Sequence, residues 1–252
     1  MTISVIILAK NEKQNIVDCI ESVKFADEIN VIDDCSSDNT PELARQAGAR
    51  VFNRAMNGNY GEQYNFAISM ATGDWILIID ADERVTPSLK EEIVRVTNLN
   101  EMCGYKISYL NFAIGQPLYH GGWFSHSGLR LFPRGMVQYE GAVHSQMIHK
   151  LPVKKLKGHV IHYTYPTWEH YFNKFNSYTQ LAAQENYKKN KQANFLGDIL
   201  LRPFFAFFKM YILRSGWRDG KIGFIMAVFH FFYTMVKYVK LYYMQNTMED
   251  RK

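Results

Sequence analysis

The residues best suited to chemistry in this sequence are acidic side chains that follow two short apolar runs. Asp80 and Asp82 follow the run WILII, and Asp33 and Asp34 follow EINVI. Two carboxylates separated by one residue can share a hard divalent cation, which prefers oxygen ligands and keeps phosphate oxygens in its shell. We therefore predict that Asp80 and Asp82 bind a metal that also holds a diphosphate. The alternative is that these acids only cap helices or lie in a solvated turn.

Strands alternate with helices along the first hundred residues. The sequence predicts strands at 3–9, 28–33, 49–53 and 75–79, and helices that begin near Asn11-Glu12, Pro41, Glu62 and Thr86-Pro87. Apolar strands without alternation are typical of a sheet covered by helices on both faces. The pattern predicts an α/β fold with a mostly parallel, right-handed sheet. Ligands bind where the carboxyl ends of such strands meet, so the acidic strand ends are expected at one edge.

The composition limits the size of the core, the redox compartment and the location that the chain can have. The chain has 252 residues, of which 47% are hydrophobic and 21% charged, so it can bury a large core in one domain with an appendage. Three widely spaced cysteines predict a reducing compartment rather than a disulfide framework. The apolar run that ends at Ala9 has no basic residues before it, which favours a strand over a signal peptide and predicts a cytosolic location.

The C-terminal part is apolar and basic. Segments 203–213 and 222–236 are intensely apolar, but Lys209 and His230 interrupt them, and each falls short of the ~20 residues that cross a bilayer. Between residues 195 and 243, seven Lys or Arg stand against two acids. We predict helices that lie in a membrane interface; the alternative is packing on the catalytic domain or on a second subunit. Nucleic acid is not an expected partner, because no recognition motif accompanies the basic residues.

Other motifs for phosphate or metal chemistry are not found. Seven of the eight histidines fall between His120 and His170, without the HExxH spacing of zinc hydrolases. The Gly-rich loop at 57–61 does not match the P-loop of kinases, and no GxGxxG of a dehydrogenase follows the first strand.

Four segments together resemble the family 2 glycosyltransferases, which have the GT-A fold. They are SVIILAKNE at 4–12, VIDDCSSDNT at 31–40, the segment from Gly58 to Ala67, and GDWILIIDADE at 73–83. The resemblance implies a catalytic domain at 1–170, with a nucleotide-sugar-binding half (1–100) and an acceptor-side half (101–170). A helical, membrane-associating region would then occupy 171–252.

The resemblance also implies a role for individual residues. Asp34 would bind the uracil ring of a UDP-sugar, and Asp80 and Asp82 would surround its diphosphate and a Mg²⁺ or Mn²⁺ ion, with Asp82 the more direct ligand. The residues implied to contact the donor are Lys10, Asn11, Glu12, Asp34, Asp80 and Arg130. An ordinary surface charge is the alternative for Arg130.

The second half is similar to a narrower subgroup, the lipopolysaccharide core glucosyltransferases that act on inner-core heptose. The matching pieces are Gly122-Trp123, 129–132, 141–144 and 216–220. This similarity implies an inverting hexosyltransferase that moves glucose from UDP-glucose to an inner-core sugar, at the cytoplasmic face of the inner membrane. The alternatives are a transferase for another membrane-borne glycan, such as a capsule or lipid-carrier sugar, and a non-catalytic sugar-nucleotide-binding scaffold on the membrane.

The catalytic base and a third metal ligand are expected in the second half. His144 best matches the histidine that completes the metal shell in related enzymes, with a hydrogen bond inside the core as the alternative. An inverting transferase needs a carboxylate to accept the proton of the acceptor hydroxyl. Glu140 is predicted as that base, with Glu169 second. The subgroup has an acid directly after the histidine, whereas this chain has Ser145.

Overall fold

The computed structural model describes residues 1–99, 101–141 and 145–249, with side chains described outside 125–127 and 247–249. It divides into two compact units. The first unit comprises Met1–Tyr109 and Ser125–His162, and the second comprises Leu110–Phe124 and the chain from Tyr163 onward. The predicted boundary between residues 170 and 171 stays a prediction.

Eleven strands and seven α-helices are present in the described residues. The strands are β1 (Ile3–Ala9), β2 (Glu28–Asp33), β3 (Arg50–Asn53), β4 (Trp75–Asp80), β5 (Glu83–Val85), β6 (Gly104–Ala113), β7 (Gln116–Leu118), β8 (Ser125–Pro133), β9 (Gln138–Glu140), β10 (Gln146–Ile148) and β11 (Val153–Tyr165). The helices are α1 (Ile16–Ser22), α2 (Thr40–Gln46), α3 (Tyr60–Met70), α4 (Pro87–Asn98), α5 (Trp168–Lys188), α6 (Arg202–Phe208) and α7 (Gly220–Glu249).

The main sheet begins with four parallel strands in the order β3-β2-β1-β4. The chain proceeds outward from β1 through β2 to β3 and then returns to the other side of β1 as β4. In the register of these strands, Ala9 lies opposite Asp33 and Leu8 lies opposite Asp80. Such a reversal of strand order opens a crevice at the carboxyl ends of the strands. The predicted meeting of the two acidic strand ends at one edge is confirmed.

The rest of the sheet continues in the order β8-β6-β11-β5, and β8 pairs antiparallel with both neighbours. Leu131 of β8 lies opposite Leu77 on one side and Tyr105 on the other. The predicted α/β class is confirmed, but the sheet is mixed, and its mostly parallel character holds for the first four strands only. Antiparallel pairs need no crossover helix, and the helix-strand alternation fades in this part of the sequence.

Both faces of β1 are buried, which explains its unbroken apolar run. Val5 and Ile7 join a core cluster that includes Ile20 of α1, whereas Ile6 joins a cluster with Ala67 of α3 on the opposite face. Each fully buried aliphatic side chain contributes about 1.5–3 kcal/mol of transfer free energy. The central strand β1 therefore contributes to the core on both of its faces.

Helix α1 begins later than the sequence predicts. The predicted start was Asn11-Glu12, but Asn11 has a φ of +56°, which a right-handed helix does not allow. The helix begins at Ile16, and the backbone of residues 10–15 forms a loop at the end of β1.

The second unit is mainly helical, as predicted from Thr167 onward. Residues 195–213 are helical throughout, with α6 between two π-helical segments. Helix α5 packs on α7 through aromatic rings, among them Tyr171 and Phe229, which stack with centroids 5.0 Å apart. Helix α7 has 30 residues, twice the apolar segment seen in the sequence. Within the described residues, the helical stretch Gly216–Asn246 is the one that is long and apolar enough to cross a membrane by length and composition, with a mean hydropathy of 1.5 over its most apolar 18 residues. The apolar segment 222–236 is thus part of a longer helix, and the expectation that it is too short to cross a bilayer does not hold for that helix as a whole.

Close packing of β11 on α4 gives a test of the first unit. A Cβ added at Gly158 would lie 2.6 Å from the Cα of Leu89, so we expect Gly158→Ala to lower the free energy of unfolding by about 1–3 kcal/mol. Gly128→Ala is the matched control, since a Cβ there meets no atom within 4 Å. Urea denaturation followed by tryptophan fluorescence measures both, and equal stabilities of the two variants would contradict this packing.

Candidate functional site

The loops that follow β1 and β2 are joined by hydrogen bonds. The backbone N–H of Asn11 donates to the hydroxyl of Ser36 (2.8 Å), and its side-chain oxygen accepts from the N–H of Ser37 (2.8 Å). The N–H of Glu12 donates to the hydroxyl of Thr40 (2.8 Å). Asn11 and Glu12 thus brace one wall of the crevice, which is a structural role that their sequence position did not indicate.

Asp34 lies between the two loops and is only 13% exposed. One carboxylate oxygen accepts from Nζ of Lys10 at 2.9 Å, and the other accepts from the N–H of Met56 at 2.8 Å. Burial acts to raise the pKa of Asp34, but these two donors outweigh it, and the pKa lies below its ordinary value. The neighbouring Asp33 is buried and accepts from the N–H of Ser36, so it holds the loop and leaves Asp34 to face the crevice.

At the end of β4, Asp80 belongs to a partly buried network of charges. Arg130 of β8 donates to Asp80 at 2.9 Å and to Glu83 at 3.3 Å, and Glu83 also accepts from the N–H of Asp80 at 2.9 Å. Burial raises the pKa of the Glu83 carboxyl to about 7, although the positive charge of Arg130 acts in the opposite direction. The two carboxylates keep the pKa of Arg130 well above its usual range, against the effect of burial.

Asp82 has a partner that the sequence did not identify. Its carboxylate lies 3.3 Å from Nε2 of His162. Strand β5 pairs with β11 and sets His162 opposite Glu83 in the register. Burial acts to lower the pKa of His162, but the Asp82 carboxylate reverses this, and the pKa is raised. A strand of three residues has no recognisable pattern, so no local signal points to this contact.

Asp80 and Asp82 supply two of the oxygen ligands that a hard divalent cation needs, and the rest must come from elsewhere. Both are carboxylates beyond the same strand, and Asp80 is 40% exposed. Among the side chains that the structure describes, no group of three or more His, Cys, Asp or Glu is arranged to hold a metal ion. Two protein carboxylates, completed by phosphate oxygens and water, are a typical environment for Mg²⁺. These residues therefore fit a cation that arrives with a diphosphate.

The two remaining predicted residues are less well placed. Glu140 ends β9 and is exposed, whereas its neighbour Tyr139 packs inward and lines a cavity with Arg130. Successive side chains of a strand point to opposite faces, so the Glu140 carboxylate is not brought to the side of Arg130. Its role as base stays a prediction. His144 lies outside the described residues, and its role as a metal ligand stays a prediction as well.

Residues 4–116 match the model of glycosyl transferase family 2. An uncharacterized glycosyltransferase of Rickettsia typhi is 28% identical over 95% of this chain and 86% of its own length. The lipopolysaccharide core biosynthesis glycosyltransferase LpsC of Rhizobium meliloti is 27% identical over 96% of this chain and 92% of its own length.

Among solved structures, glucosyl-3-phosphoglycerate synthase of Mycobacterium tuberculosis aligns with a TM-score of 0.41 and 23% identity. The alignment covers 53% of this chain and 57% of that chain, so the chain spans little more than half of the solved protein.

The contacts of Asp34 predict a pH dependence of stability. Because its pKa is depressed in the folded state, its contribution is present above the unfolded value near 3.8 and is lost as the pH falls through the folded value. We expect Asp34→Asn to cost about 1 kcal/mol at pH 7, and the cost to shrink as the pH falls below 3.8. Thermal unfolding from pH 7 to pH 2 measures the difference from wild type, and a constant difference would contradict the assignment.

Proposed function

We propose that the chain is an inverting, metal-dependent hexosyltransferase with a UDP-sugar donor, since residues 4–116 match the model of glycosyl transferase family 2. The observation that carries the proposal is the placement of Asp34 and Asp80 at one edge, beyond the two strands that flank β1. Strands lie about 4.8 Å apart, so the two acidic strand ends are separated by about 10 Å. A nucleoside diphosphate can span that distance, with its base at one acid and its diphosphate at the other.

Each acid has a role that follows from its surroundings. Asp34, kept ionised by Lys10 and the N–H of Met56, accepts a hydrogen bond from the imide N–H of uracil. Asp80 and Asp82 hold the diphosphate through a divalent cation, Mg²⁺ or Mn²⁺, which would neutralise the charge that develops on the leaving group. Arg130 adds a fixed positive charge beside Asp80 on the diphosphate side.

The reaction proposed is a single displacement at the anomeric carbon. An acceptor hydroxyl attacks from the face opposite the diphosphate, the bond from carbon to the diphosphate oxygen breaks, and the electron pair leaves with UDP. A carboxylate takes the hydroxyl proton, and Glu140 remains the candidate. We propose glucose as the sugar and an inner-core sugar of lipopolysaccharide or lipooligosaccharide as the acceptor. The similarity to LpsC over nearly the whole chain supports this context.

A membrane-borne acceptor requires contact with a membrane, and the second unit has a surface suited to it. Large apolar side chains along residues 195–213 are exposed, including Leu196, Leu201, Phe204, Phe205 and Leu213. The acid in this segment, Asp198, is paired with Arg202 at 2.7 Å, so the surrounding lysines and arginines leave a positive balance. Apolar side chains rimmed by cations favour an anionic lipid surface. We propose peripheral binding to the cytoplasmic face of the inner membrane.

Donor turnover tests the catalytic proposal. We expect the release of UDP from UDP-glucose to require Mg²⁺ or Mn²⁺, and Asp82→Ala to lower its rate at least ~100-fold. Asp74→Asn is the control, because Asp74 lies at the opposite end of β4, where it accepts from Thr2. Absence of metal-dependent turnover on any nucleotide sugar would leave a non-catalytic membrane scaffold as the better description.

Vesicle sedimentation tests the membrane proposal. We expect the double variant Leu201→Glu with Phe205→Glu to lower the partition onto anionic vesicles at least ~10-fold, since both side chains are exposed on one face of the helical segment. Leu99→Glu in the first unit is the matched control, because Leu99 is exposed to a similar degree. Extraction of membranes at alkaline pH should release the protein, whereas retention would indicate that α7 spans the bilayer.

A further inference from the structure

A cavity of about 390 Å³ lies in the first unit, and it has a basic lining. Its charged and polar side chains are those of Tyr64, Lys106, Arg130, Tyr139, Ser145 and His149. No Asp or Glu is among its described lining residues. We call this space the basic cavity. Its volume is within the usual range for sites that bind small molecules.

Three basic side chains line the basic cavity. Arg130 already pairs with Asp80 and Glu83. Lys106 is exposed, and no carboxylate in the described part of the chain forms an ion pair with it. Nδ1 of His149 is buried and has no hydrogen-bond partner among the described residues.

The walls of the basic cavity are held in place by the fold. The rings of Tyr64 and Tyr139 stack with centroids 4.6 Å apart. The side chain of Asn65 donates to the carbonyl of Tyr139 and accepts from its N–H, both at 2.8 Å, as a neighbouring strand would. Ile78 and Leu129 add apolar surface. Tyrosine rings and aliphatic side chains beside a few polar donors are suited to a sugar ring that carries a charged substituent.

We propose that the basic cavity binds an anionic group, a phosphate or a carboxylate, on the acceptor saccharide. Arg130 contacts Asp80 and also lines the cavity, so the site lies next to the predicted metal ligands within the same unit. An anion beside Lys106 would form an ion pair that a neutral acceptor cannot form. This inference rests on the proposed transferase function, and it specifies an acidic sugar as the substrate class.

The test uses the full chain saturated with UDP and Mg²⁺, so that the donor's own diphosphate site is filled. Glucose 6-phosphate, glucuronic acid and glucose are titrated by calorimetry. We expect at least one of the two acidic sugars to bind at least ~10-fold more tightly than glucose. Lys106→Gln and His149→Gln should each weaken that binding, the lysine variant by ~10-fold or more, while Lys157→Gln, an exposed lysine outside the cavity, should leave it unchanged.

Three outcomes would overturn the inference: equal affinity for glucose, unchanged binding in both cavity variants, or binding of the acidic sugar that disappears when UDP is saturating. The last would place the anion at the donor's diphosphate site. UDP affinity and UDP-glucose turnover are measured on the same samples. If they stay intact while acidic sugars fail to bind, only the cavity assignment is wrong; if UDP itself does not bind, the proposed function is wrong.

Discussion

The functional edge of the first unit depends on one guanidinium that lies between two carboxylates. Arg130 joins β8 to the end of β4 and separates the charges of Asp80 and Glu83, which are otherwise close enough to repel each other. Removal of one member of a buried ion cluster leaves an uncompensated charge, at a cost of about 3–5 kcal/mol. The parallel half of the sheet thus contributes Asp80, whereas Arg130 and Glu83 come from strands with antiparallel partners, β8 and β5.

The sequence predicts the parallel half of the fold well, because that half is encoded locally. Apolar runs with Gly, Pro and Asn between them locate β1 to β4 within about one residue. The start of α1 was misplaced since nothing nearby reports the left-handed conformation of Asn11. Strand β5 has three residues and takes its stability from pairing with β11, a partner more than seventy residues away.

The candidate site likewise has residues that the local sequence identifies and contacts that depend on distant parts of the chain. Asp34, Asp80 and Asp82 could be named from their positions after strands, and the structure brings them to one edge. Their contacts with Met56, Glu83 and His162 could not be named, because each depends on a loop or on pairing between distant strands. Apolar composition in the second unit is similarly ambiguous. Ile199 and Leu201 are both large aliphatic residues of the same segment, yet Ile199 is buried and Leu201 is exposed.

The pairing of β5 with β11 has a consequence for the order of folding. His162 is eighty residues after Asp82 along the chain, so their contact closes a long loop. Contacts between distant residues form slowly, because chain entropy is lost before the contact contributes. The parallel strands are joined by short helices and can assemble before residues 83–85 pair with β11. The acidic end of β4 is accordingly among the last parts of the sheet to acquire its final surroundings.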